Sequence, residues 1–306
     1  MKLGFITTLL GGLCAAALSG LNSLSAEGKP VGETHALWKS GVHHLVFGGI
    51  DRTFNLDVPR VVRPGAPLVM VFHGFTGSAK GVRELAGFTP LVEKYGFVAV
   101  YPQGTIDSKG RAFFNVGYEF HWDQKVDDAE FARGLAARLV RDLGLDERAV
   151  FATGFSNGGD MSFFLGAQKN PFVSAIAPVA GTMMESWARD FRPVARISVL
   201  AVNAKHDRTT LWDGDMKNRD GWGAYLGTEA VLGLWVKGLG LTNVNRVAPT
   251  PSIRMTRWSS VADNTEVKFV VLGVGGHEWP RDLGDEANPT AEVIWRFFDD
   301  HHPKSH

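Results

Sequence analysis

The alternation of apolar and polar positions divides the chain into strands and helices in a regular order. Residues 43–47 and 50–58 are β-like runs either side of Gly48-Gly49, a two-residue hairpin signal. In the second run Ile50, Phe54, Leu56 and Val58 share one face, and Asp51, Thr53, Asn55 and Asp57 the other. That pattern predicts a sheet margin with one solvated side. Residues 67–72 and 97–101 are apolar without alternation, as in strands covered on both faces. Thr89-Pro90 predicts a helix with threonine as N-cap and proline at the first helical position, closed by Gly96. Asp127 and Glu130 form a capping-box pattern, Phe131, Leu135, Leu139 and Leu143 recur every four residues, and Gly144 stops that helix. Further β runs lie at 173–179, 197–202, 255–259 and 267–272, with helical stretches at 228–237 and 289–300. Strands alternating with helices of about a dozen residues predict βαβ units, a mostly parallel sheet and helices on both its faces.

Within this frame the stretch 150–160 stands out. A short apolar strand runs into Gly154-Phe155-Ser156-Asn157-Gly158 and then a helix, the G-x-S-x-G pattern that holds a serine on a sharp strand-to-helix turn. A serine hydroxyl needs a base within hydrogen-bond reach, and the base needs a carboxylate to fix its tautomer. In a parallel sheet such groups gather at the carboxyl ends of strands. Asp207 is the first carboxylate after the 197–202 strand, and His277 follows 267–272 in a glycine-rich loop, giving the order Ser, Asp, His. Asp213, Asp215 and Asp263 remain alternative acids, and His206 an alternative base. An oxyanion hole would draw on the N–H of Asn157 and on that of Phe75, or else Thr76, in the loop after 67–72. Residues 102–126 form a long loop rich in Gly, Phe and Trp, of the kind that covers a site.

Lys+Arg and Asp+Glu are both 32 in 306 residues, which gives no electrostatic case for nucleic acid or an anionic membrane. Residues 1–26 carry Lys2, an apolar segment over 3–18 and a small residue at Ala26, which reads as a secretory signal peptide. The segment is too short and too broken by glycine and threonine for a membrane anchor. Residues 27–42 read as a linker, and 43–306 as one catalytic domain. Cleavage after Ala26 would remove Cys14, the only cysteine, and with it thiol catalysis and zinc–thiolate sites. The histidines at 43–44 and 301–306 are poorly arranged for a metal, and none is expected, nor any other cofactor.

With these residues in hand, the chain resembles the secreted poly(3-hydroxybutyrate) depolymerase and feruloyl/acetylxylan esterase group of the α/β-hydrolase superfamily. The likeness rests on 67–74 ending in His-Gly, on 96–104, on Val126-Asp127-Asp128, on 150–159, and on Gly275-Gly276-His277-Glu278-Trp279-Pro280. It implies the α/β-hydrolase fold, Ser156 as nucleophile, Asp207 as acid and His277 as base, with Trp279 and Pro280 shaping the histidine loop. The chain departs from that pattern at Phe75, where the group often has cysteine, and around Asp207, where His-Gly-Thr-x-Asp is usual. The expected activity is a secreted or periplasmic serine carboxylesterase acting on a polymeric or carbohydrate-linked ester, with Phe75, Trp122 and Trp279 as substrate walls. A serine peptidase on the same fold and a non-catalytic carbohydrate-binding relative are the alternatives.

Overall fold

The computed structural model describes residues 38–193, 195–284 and 289–302. The signal reading over 1–26, and the linker reading except at 38–42, lie outside the described residues. The first strand, β1 (Gly41–Phe47), pairs antiparallel with β2 (Ile50–Asp57) from Gly41↔Leu56 to Phe47↔Ile50. This strand begins two residues before the expected run at 43, because β2 is long enough to offer Gly41 and Val42 partners. Gly48 and Gly49 turn the hairpin with φ of 58° and 78°, values a two-residue turn of this type requires.

The chain continues through β3 (Leu68–Phe72), α1 (Ala79–Ala86), α2 (Thr89–Tyr95) and β4 (Val98–Pro102). A small hairpin of β5 (Thr105–Ile106) and β6 (Ala112–Phe113) interrupts the long loop. Then come α3 (Asp128–Leu143), β7 (Val150–Phe155), α4 (Asn157–Gly166), β8 (Ala175–Val179), α5 (Glu185–Ala188) and β9 (Ser198–Ala204). The described chain ends with α6 (Thr228–Gly238), β10 (Asn243–Thr250), β11 (Ile253–Ser259), β12 (Glu266–Leu272) and α7 (Thr290–Asp300).

Ten strands form one sheet in the order β1-β2-β4-β3-β7-β8-β9-β12-β11-β10. The six from β4 to β12 are parallel, and the two at each margin are antiparallel. The parallel strands are buried on both faces, so they read as continuous apolar runs. Alternate side chains still go opposite ways. Leu68, Met70 and Phe72 join the core under α3, α4 and α6, whereas Val69 and Val71 join the core under α1, α2 and α7. Two packed layers thus hold the carboxyl ends of β3, β7, β9 and β12 in register, side by side.

Two local readings change. Asp57, expected on a solvated face, is buried, and its carboxylate accepts hydrogen bonds from Arg83 Nε (2.9 Å), Thr89 Oγ1 (2.7 Å) and Tyr101 Oη (3.0 Å). Thr89 is consequently the first helical residue rather than the N-cap, because its hydroxyl is engaged across the sheet. Arg52 lies among the apolar positions of β2, buried, with its guanidinium 2.5 Å from Asp128 and 3.9 Å over the Phe131 ring. The edge strand β10 was not expected; its exposed sequence mixes apolar and polar residues without an alternation to reveal it.

Asp128 also accepts the Asn115 N–H at 2.7 Å, so the buried pair ties the long loop to both β2 and α3. Removing one partner of such a pair leaves an uncompensated buried charge, costing about 3–5 kcal/mol. Asp128→Ala should lose that much stability in urea unfolding. Arg52→Met with Asp128→Leu should lose clearly less than Asp128→Ala alone; equal losses would show that the unpaired charge is not the cause.

Candidate active site

The turn between β7 and α4 is built by close backbone approach. A Cβ on Gly154 would lie 2.6 Å from Phe72 O, and one on Gly158 would fall on that same carbonyl oxygen. Only glycine lets β7 and α4 pack this tightly on the end of β3. Ser156, between them, has φ 56° and ψ −119°, a conformation that costs on the order of 1–3 kcal/mol for a residue with a Cβ. The Ser156 N–H is anchored to Val179 O at 2.9 Å.

The result is a chain of three side chains from positions far apart in sequence. Ser156 Oγ lies 2.9 Å from His277 Nε2, and His277 Nδ1 lies 2.8 Å from Asp207 Oδ2. An ionised carboxylate only accepts, so Nδ1 carries the proton and Nε2 is free to accept from the serine hydroxyl. Asp207 is buried, and its other oxygen accepts N–H bonds from Thr209 (2.7 Å) and Thr210 (2.9 Å). Those bonds fix the carboxylate before it meets the imidazole. The other acids are engaged elsewhere: Asp215 with Arg219, and Asp263 with Arg196. Asp213 and His206 lie exposed to solvent.

The loop after β3 abuts the serine. A Cβ on Gly74 would lie 3.4 Å from Ser156 Cβ. Thr76 N–H donates to Ala112 O at 2.7 Å and so is committed, which leaves Phe75 N–H of the two expected donors. The loop is held by His73, a buried residue whose Nε2 accepts the Gly104 N–H at 2.9 Å and whose Nδ1–H donates to Gly74 O at 2.7 Å. Asn157 is buried at the first position of α4. Its side chain makes two bonds to the Phe114 backbone, accepting at 2.8 Å and donating at 3.0 Å, and so clamps the long loop against the elbow.

The aromatic expectations divide. The Phe75 ring packs with Trp222 (5.2 Å) and Phe120 (5.6 Å) beside the serine loop. Trp122 is 65% exposed, its indole N–H donating to Gly117 O at 3.0 Å. Trp279 is half-buried against the core that holds α1, α2 and α7. Neither tryptophan, nor Phe75, lines the recess that opens at Ser156. Its walls come from Tyr118, Asp160, Thr182, Met184, Trp222 and Tyr225, with Thr209 and Thr210. None of these was singled out from sequence. Asp160 had a usable signal, because it follows Ser156 by four residues on one helix face. The others lie in loops without periodicity. A wider cleft of about 810 Å³ beside α3 contains none of the convergent groups.

Two buried titratable groups flank the serine. Burial holds His73 down to about 4, and burial pushes Asp160 up to about 7. Asp160 accepts from Tyr118 Oη (2.6 Å) and from Thr182 N–H (2.7 Å). For His73 the folded value lies below the unfolded one, so its contribution to stability is lost as pH falls from about 6.5 through about 4. Asp160 acts oppositely, since its contribution is present below about 3.8 and lost as pH rises through about 7. The two slopes partly cancel in the native protein. Urea unfolding between pH 4.5 and 7 should therefore show His73→Gln less acid-sensitive than the native chain, and Asp160→Asn more so. Parallel profiles in all three would remove this assignment.

No family model matches the chain. It is 28% identical over 237 residues to feruloyl esterase D of Neurospora crassa, covering 76% of this chain and 72% of that protein. It is 23% identical over 155 residues to the bifunctional acetylxylan esterase/xylanase XynS20E of Neocallimastix patriciarum, covering 51% of this chain and 22% of that protein. The chain spans 22%, 39% and 49% of the length of three curated relatives that it matches. Among solved structures, the acetyl xylan esterase from Aspergillus awamori matches with a TM-score of 0.63 at 15% identity, over 85% of this chain and 99% of that one. The chain thus has the α/β-hydrolase fold and is similar in sequence to feruloyl and acetylxylan esterases.

Proposed function

We propose that the protein is a serine carboxylesterase acting on an ester linked to a carbohydrate or polymer. The observation that carries this reading is the hydrogen-bonded line from Ser156 Oγ through His277 to Asp207, at 2.9 and 2.8 Å. Its relatedness to esterases supports the same chemistry. Ser156 Oγ attacks the ester carbonyl while His277 Nε2 takes its proton, and Asp207 holds the imidazolium. The Phe75 and Asn157 N–H groups stabilise the tetrahedral oxyanion. Collapse of that intermediate breaks the bond to the alcohol oxygen, which takes the proton from His277, and leaves an acyl-serine. Water then gives a proton to His277, attacks the acyl carbon and releases the acid, and the proton returns to Ser156. Every atom and proton in the cycle is supplied by the chain, the ester or water. On this reading residues 1–26 direct export, and the enzyme works in the periplasm or outside the cell. Among the described residues no helix is long and apolar enough to cross a membrane.

Ser156→Ala should abolish release of p-nitrophenol from p-nitrophenyl acetate while leaving the urea-unfolding midpoint close to the native value. Turnover retained in that variant would remove the nucleophile assignment. Asp207→Asn should lower kcat by about 10⁴, because the imidazole would adopt the wrong tautomer. A kcat near the native value would mean that Asp207 does not orient His277.

A further inference from the structure

Building on the esterase reading, we propose that the acyl half of the ester sits in the small recess beside Ser156, which admits an acetyl group and excludes longer or hydroxylated acyl chains. The recess holds about 30 Å³ and has Ser156 in its wall. One water-sized occupant needs roughly 10–15 Å³ on this measure, so there is room for about two. That suits the methyl and carbonyl of an acetyl group. A hydroxycinnamoyl group carries an aromatic ring beyond that point and does not fit.

The departing alcohol oxygen must face His277 Nε2, because that nitrogen returns the proton. His277 and its glycine loop are not among the residues that line the recess, which is walled instead by Asp160 of α4 and by the loops carrying Tyr118, Met184 and Trp222. The recess therefore serves the half of the ester that stays on the serine.

The polar character of the walls completes the case. Tyr118 Oη–H is used on Asp160 Oδ2 (2.6 Å), and Asp160 Oδ1 takes the Thr182 N–H (2.7 Å). Thr182 Oγ1 donates to Leu226 O (2.7 Å), and Tyr225 Oη accepts the Leu211 N–H (3.2 Å). Tyr225 Oη–H is used on Thr209 O (3.4 Å), so the hydroxyl protons of Tyr118, Thr182 and Tyr225 are all engaged within the protein and offer no free donor to a hydroxyl on the acyl chain. Thr210 Oγ1 donates to Ala180 O (3.0 Å), and beside it and Thr209 the apolar walls, Met184 and Trp222, suit a methyl group. Both are held in place. Met184 is buried, and the Trp222 ring meets Tyr118 and Phe120 edge-on at 5.1 Å each. Moving either wall for a longer chain would break these contacts.

The test is an acyl series at constant alcohol: p-nitrophenyl acetate, butyrate, octanoate and 3-hydroxybutyrate, with methyl ferulate alongside and the Ser156→Ala protein as blank. One methylene in an apolar pocket is worth roughly 10–200-fold. The native protein should thus lose at least about 10-fold in kcat/KM from acetate to butyrate. It should release neither 3-hydroxybutyrate nor ferulate at a comparable rate. Met184→Ala and, separately, Trp222→Ala should raise the butyrate-to-acetate ratio about 10-fold, by opening the recess by at least one methylene. Should either variant fold poorly, the native series decides alone. Octanoate or ferulate cleaved as fast as acetate would overturn the inference and leave the esterase reading intact. So would a restriction that appeared only when the alcohol of an acetate ester was varied. Failure to cleave any ester, acetate included, would overturn both.

Discussion

The contact on which the site depends is backbone against backbone. Gly154 and Gly158 bring the start of α4 onto the last carbonyl of β3, and Gly159 brings the same helix onto β8, where a Cβ would lie 2.7 Å from Val179 O. Gly181 answers it from the following loop, where a Cβ would lie 2.6 Å from Gly159 C. With helix and strands pressed this closely, the one residue between them that is not glycine and not helical must take up the turn. Ser156 does so at positive φ, with its side chain raised toward the strand ends. The strain at one residue is small beside the packing of three strands and a helix that enforces it. A side chain at any of these glycines would part the layers and lower the serine.

Polar groups that would be liabilities in a core serve here as fasteners for the loops. Asp128 joins β2 to the long loop through Arg52 and the Asn115 N–H. Asn157 holds the same loop through Phe114, and Asp107 takes Arg111 and His121 inside it. Asp160 links it, through Tyr118, to the Thr182 backbone after β8. Unpaired, each would be costly to bury; paired, each fixes a segment that has no ladder of its own. The aromatic group of Phe75, Tyr118, Phe120 and Trp222 then packs over these fasteners beside the serine. A long loop becomes a rigid wall in this way, with no regular structure beyond a two-residue hairpin and one short turn of helix.

The residue pattern by itself determined the strand–helix order and the placement of Ser156, Asp207 and His277 beyond strand ends. Those features are local. Continuous apolar runs mark strands covered on both faces, a four-residue repeat marks α3, and glycine marks the points of close approach. The same locality explains the errors. Asp57 looks solvated in a period-two pattern, and nothing near it reveals that Arg83, Thr89 and Tyr101 will close over it. Only the tertiary structure brought Ser156, His277 and Asp207 within hydrogen-bond distance, and only it selected Asp207 over Asp213, Asp215 and Asp263 as the neighbour of the imidazole. It also lined the recess beside the serine with Trp222, Tyr118 and Met184, and with none of Phe75, Trp122 and Trp279. The physical reason is that secondary structure is encoded by periodic neighbours. A recess is enclosed by side chains from several loops, whose meeting depends on how the two layers pack across the sheet.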